Sequence, residues 1–178
     1  MLTNSSPTRA EVCDIGNAVL DGTTAISMSD ETAYGSYPVE ATTVLNRVTR
    51  YTEKMRDELH HFAVLPESTD DVHTFAKEVV ATAKTAGAKA IVTAFTDVAW
   101  NKALASFHPV CPVVAGTSSL EDFRDMMMGF ALRPVHVGEL NLKAVAQASG
   151  LDASDTVVVC ENLNGTATHK TVKVSDIA

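Results

Sequence analysis
The sequence predicts an α/β protein. A three-layer, doubly wound, mostly parallel sheet of about five strands, with the last strand as an antiparallel edge, follows a helix-strand-helix segment. Two observations carry this. From Asp70 onward, stretches of helical period alternate with short apolar runs, as parallel strands joined by crossover helices require. Before that, two helical faces flank one short run of small and apolar residues.

Taken in order, Ser6 and Pro7 open the first helix, since proline at the first helical position loses a donor that would be orphaned anyway. Thr8 and Glu11 have capping-box spacing. Val12, Ile15, Gly16 and Val19 fall on one face, and Asp21-Gly22 ends the helix. Residues 23–28 read as a short buried parallel strand and Ser29 to Thr32 as the polar loop after it. Ser36, Tyr37 and Pro38 open a second helix. It carries Ala41, Val44, Leu45, Val48, Tyr51 and Met55 on one face and runs to about Glu58. Leu65-Pro66-Glu67-Ser68-Thr69-Asp70 breaks both periods and reads as a linker.

The second part continues as a helix over 71–86, with Val72, Phe75, Ala76, Val79, Val80 and Ala83 on one face and Gly87 as the stop. Strands are expected over 89–95, 110–116, 133–137 and 156–161, and helices over 97–106, 118–129 and 140–149. Asn162 to Gly165 reads as a turn and 170–174 as the closing edge strand.

With 46% hydrophobic and 20% charged residues, the 178-residue chain can bury a substantial core. A formal net charge of −8 argues against nucleic acid or an anionic membrane as partner. Cys13, Cys111 and Cys160 are widely spaced and form no CxxC pair, as expected of reduced thiols in a cytoplasmic protein. No apolar run approaches a membrane span, and residues 1–4 lack the pattern of a signal peptide. His60 and His61 point different ways on a helix, so a metal site is not expected of them. Met126, Met127 and Met128 read as core or subunit interface. Trp100 packs either in the core or at the loop before its helix. No P-loop or Gly-rich dinucleotide fingerprint occurs. Asp97 reads as an N-cap or a first-turn acid serving its own helix.

Four motifs carry a resemblance: Pro7-Thr8-Arg9-Ala10-Glu11-Val12, Asn17-Ala18-Val19-Leu20-Asp21-Gly22, Ser29-Asp30-Glu31-Thr32-Ala33 and Tyr37-Pro38-Val39-Glu40-Ala41. In order and spacing they resemble the end of the catalytic barrel of pyruvate kinase. Weaker motifs in the second part resemble the C-terminal domain of the same family: Ala88-Lys89-Ala90-Ile91-Val92-Thr93, Pro112-Val113-Val114-Ala115-Gly116-Thr117, Arg133-Pro134 and Asp155-Thr156-Val157-Val158-Val159. The resemblance implies two domains, 1–64 as a remnant of the (β/α)8 barrel and 65–178 as the C-terminal α/β domain.

It also implies roles. Ser29 and Glu31 would border the active site of the parent enzyme, in its water and proton network, although Asp30 stands where the family usually has glycine. The plain alternative is a polar loop without chemistry. Arg9 would reach toward a neighbouring subunit, or else lie solvated in the first turn. The family's effector loop usually reads Thr-x-Ser-Gly-x-Thr/Ser-Ala and holds a phosphate at a helix N-terminus. Here it reads Thr93-Ala94-Phe95-Thr96-Asp97-Val98-Ala99, with Phe, Thr and Val at the key places and an acid where the phosphate would sit. Thr93, Thr96 and Asp97 stand at positions of that loop in a degenerate form, and loss of sugar-phosphate binding is expected.

The implied activity of the parent is phosphoryl transfer from phosphoenolpyruvate to ADP with Mg2+ and K+. This chain alone would bind neither ion and be inactive. Its expected partner is the rest of such a chain or a second copy in a homo-oligomer. The alternative is a free-standing, non-catalytic binding or assembly module.

Overall fold
A computed structural model describes residues 1–58, 70–163 and 166–177 of the chain. It divides into two compact units, Met1–Leu65 and Pro66–Ala178. The linker over 65–69, His60, His61 and the turn residues Asn164 and Gly165 lie outside the described residues.

The first unit holds α1 (Arg9–Leu20), α2 (Asp30–Ala33) and α3 (Pro38–Glu58). The capping box forms as the spacing predicts: the Thr8 hydroxyl accepts from the Glu11 amide, and the Glu11 carboxylate accepts from the Thr8 amide. Thr8 is therefore the N-cap, and Pro7 lies just outside the helix rather than at its first position. Gly22, with φ of 81°, takes the left-handed conformation that ends α1. α1 and α3 pack together through Val19, Ala41 and the predicted small face, where Gly16 lies against Thr52. Tyr51 departs from its predicted face and is 67% exposed.

Residues 23–28 form no strand. The reason is physical: a strand exists through ladder bonds to a neighbour, and the first unit holds no second strand among its described residues. Only Ile26 and Met28 of this run are half-buried; the rest are exposed, contrary to the buried strand expected. The loop expected after it instead winds into the single turn of α2.

The second unit is the predicted α/β sandwich. Its elements are α4 (Asp71–Thr85), β1 (Ala90–Thr93), α5 (Val98–Ser106), β2 (Val113–Thr117), α6 (Leu120–Met126), β3 (Leu132–His136), α7 (Leu142–Ala148), β4 (Thr156–Leu163) and β5 (Thr166–Lys173). The sheet order is β3-β2-β1-β4-β5. β1, β2, β3 and β4 run parallel, while β5 pairs antiparallel with β4 from Thr156↔Lys173 to Leu163↔Thr166. The closing strand is longer than 170–174 because β5 pairs with β4 along its whole length, from Lys173 back to Thr166.

Every residue of β1 and β2 is buried, as central parallel strands covered on both faces must be. On one face Ile91, Val113, Ala115 and Val158 pack against Val79 of α4, Leu104 of α5 and Met126 of α6. On the other, Val92, Val114, Val157 and Val159 pack against Leu142 and Val145 of α7 and Ile177. Met126 is thus core, whereas Met127 and Met128 are exposed. Among the described residues no helix is long and apolar enough to cross a membrane.

Candidate functional site
In the first unit the residues of interest gather around α2. Ser29 precedes the helix and is exposed; its hydroxyl lies 3.3 Å from Asp30 Oδ1, and its carbonyl accepts from the Thr32 and Ala33 amides. Glu31 Oε1 lies 3.8 Å from the α-amino group of Met1, which also bonds the Glu11 carboxylate. That amino group, with the Thr8 amide and hydroxyl, lowers the Glu11 pKa to about 2. The hydrogen bond that the Tyr34 phenol donates to the Asp30 carboxylate raises its pKa, and desolvation and the Glu31 charge add to this. A shallow cleft beside α2 is lined by Thr32, Pro38, Val39, Thr42, Thr43 and Asn46. The Thr42 and Thr43 hydroxyls donate to the Pro38 and Val39 carbonyls, each at 2.8 Å, so they are occupied within α3.

This arrangement is acidic. Ser29, Asp30, Glu31 and Glu11 bring carboxylates and a hydroxyl to one edge of the unit, and Arg9 is exposed on the first turn of α1. Among the described residues no group of three or more His, Cys, Asp or Glu side chains could hold a metal ion. By itself the edge can accept protons and hydrogen bonds, but it does not gather the cations that would neutralise a phosphoryl group in transfer.

In the second unit the predicted residues lie at the carboxyl end of β1. Thr93 is wholly buried, and its hydroxyl donates to Asn101 Oδ1 of α5 at 2.6 Å; the Asn101 amide in turn reaches Met126 Sδ at 3.5 Å. Thr96 and Asp97 are exposed. Asp97 caps α5, accepting from the Ala99 amide at 2.8 Å, as its position before the helix implies. Of the three predicted loop residues, two therefore have their side-chain groups bound within the fold. Phe95 is 3% exposed and stacks on Trp100, so that tryptophan belongs both to the loop and to the core edge. The sequence reading missed Asn101. Its signal is that it is the one amide side chain in the helix Val98–Ser106, whose other polar residues are Lys102 and Ser106.

The family described as pyruvate kinase, barrel domain, matches residues 1–42. The pyruvate kinase of Agrobacterium vitis is 34% identical over 173 residues, covering 89% of this chain and 35% of the relative. That of Clostridium acetobutylicum is 33% identical over 140 residues, covering 76% of this chain and 29% of the relative. The chain thus spans about a third of the length of the curated relatives it matches. In fold, the crystal structure of a pyruvate kinase from Cryptosporidium parvum superposes with a TM-score of 0.80 at 23% identity, over 97% of this chain and 37% of that one. A Cryptosporidium parvum pyruvate kinase in complex with ADP gives 0.74. By sequence the chain is similar to pyruvate kinases, and in fold to a solved one, in each case over about a third of their length.

Proposed function
We propose that this chain works as the C-terminal part of a pyruvate kinase, supplying the regulatory and assembly domain of an enzyme that moves a phosphoryl group from phosphoenolpyruvate to ADP. The observation that carries the reading is the continuity of the 34% identity with a whole pyruvate kinase across 89% of this chain. Phosphoryl transfer rests on positioning and on charge neutralisation by metals and basic residues. The acidic edge around Ser29 and Glu31 borders such chemistry without supplying it, so Mg2+ and K+ belong to the rest of the enzyme and the isolated chain is inactive. Its partners are that remainder or a second copy, in a cytoplasmic homo-oligomer, with Arg9 on the contact. The test is pyruvate release from phosphoenolpyruvate and ADP with Mg2+ and K+. The purified chain should give none above a blank, and turnover at an ordinary enzyme rate would overturn the proposal.

A second reading keeps the same ancestry but makes the chain a free-standing assembly or binding module. The β1–α5 loop favours it, because Phe95 and Asp97 stand where a sugar phosphate would be held. The mass of the species carrying this domain in its native cells separates the two. A polypeptide about three times larger, as the 35% coverage implies, supports the enzyme; one of 18.9 kDa supports the module.

A further inference from the structure
The sheet order β3-β2-β1-β4-β5 reverses its direction of growth between β1 and β4. Open α/β sheets form their ligand crevice at the carboxyl ends of the strands flanking such a point. In this protein four rings from four elements meet there. Phe95, two residues beyond β1, stacks on Trp100 of α5 with centroids 5.2 Å apart and planes 22° apart. Phe75 of α4 meets Phe95 edge-on at 6.1 Å and Trp100 at 5.4 Å. On its other side Phe75 meets His169 of β5 edge-on at 5.4 Å. His169 Nε2 lies 3.3 Å from Thr82 Oγ1, further along α4. Two polar side chains beside the same loop are engaged too, Thr93 on Asn101 and Asp97 on the Ala99 amide.

We infer that these rings are the crevice's own occupant: Phe75, Phe95, Trp100 and His169 form a clasp that ties α4, the β1–α5 loop and the β5 edge strand into one cooperative unit and holds it closed without a ligand. Phe75 is the hub, since it touches the other three rings. Stacked and edge-to-face ring pairs stabilise beyond the area they bury. An edge strand with a ladder on one side only is otherwise among the first parts of a sheet to open. β5 is such a strand, and His169, opposite Cys160 in the register, is its link to the hub. The inference holds whether the chain serves an enzyme or stands alone.

Hydrogen exchange on the full chain tests it, together with the emission of Trp100, the one tryptophan of the sequence. In the Phe75→Leu variant, amide exchange should quicken by about tenfold in residues 94–97 and in Thr166–Lys173 together. His169→Leu should shift Trp100 emission to the red, because the change passes through Phe75; this variant carries the test if the first fails to fold. Faster exchange confined to α4, or an unchanged emission in His169→Leu, would overturn the clasp. So would saturable quenching of the unaltered protein by inorganic phosphate, which would reveal an open ligand crevice.

Discussion
Thr8 and Glu11 show how far individual residues can be read, and they give two measurements. Thr8→Ala removes one half of the reciprocal cap on α1 and should destabilise the first unit by about 1 kcal/mol, measured by urea unfolding followed through helical circular dichroism. Glu11 gives a pH dependence whose sign is fixed. Its pKa in the folded chain, about 2, lies below the ordinary 4.5, so its contribution is complete above the higher value and is lost as pH falls toward the lower. Acid unfolding of Glu11→Gln should lack that component of the slope. Gly116 has no such exposure: a Cβ there would lie 2.2 Å from Val145 Cγ2 and 3.0 Å from Leu140 Cδ1. Gly116→Ala forces β2 and α7 apart and should cost the second unit about 1–3 kcal/mol in the same unfolding measurement. The thiols also separate by environment. Burial raises the pKa of both the Cys111 and Cys160 thiols, while Cys13 is exposed. A maleimide should therefore label Cys13 rapidly and the other two only on unfolding, as read by mass spectrometry.

Among the elements, helices were the most legible. α1 and α5 begin at Thr8 and Asp97, whose side chains cap them as their positions in the sequence imply, while Asp70, read as the end of the linker, proves to cap α4. The central strands were legible for a related reason. Ala90–Thr93 and Val113–Thr117 are short, apolar and flanked by helices, which fits strands covered on both faces. The run over 23–28 has similar composition, yet it forms no strand. Composition expresses a preference, while a ladder needs a neighbour, and the first unit offers none among its described residues. Asp97→Ala should lower the stability of α5 by about 1 kcal/mol. If the loop has no anion site to lose, the same variant should leave the response of Trp100 emission to phosphate unchanged.

At the scale of the whole molecule, the sequence by itself determined the fold class and the resemblance to pyruvate kinases. Both rest on local order along the chain: the alternation of helical and strand periods, and motifs such as Pro7-Thr8-Arg9-Ala10-Glu11 and Ser29-Asp30-Glu31-Thr32 in fixed succession. It also marked the β1–α5 loop as altered, since Phe95 and Asp97 are visible as departures from a pattern. What fills that crevice was decided by tertiary structure alone. Phe75, Trp100 and His169 lie far apart in sequence, and only the sheet order and the antiparallel return of β5 bring them to one place. The pairing of Thr93 with Asn101 is of the same kind, because it depends on how α5 lies against the sheet. Periodicity and capping act over a few residues and can be read along a line. Ring contacts and buried hydrogen bonds depend on which distant residues packing makes neighbours, and that is settled only when the sheet closes.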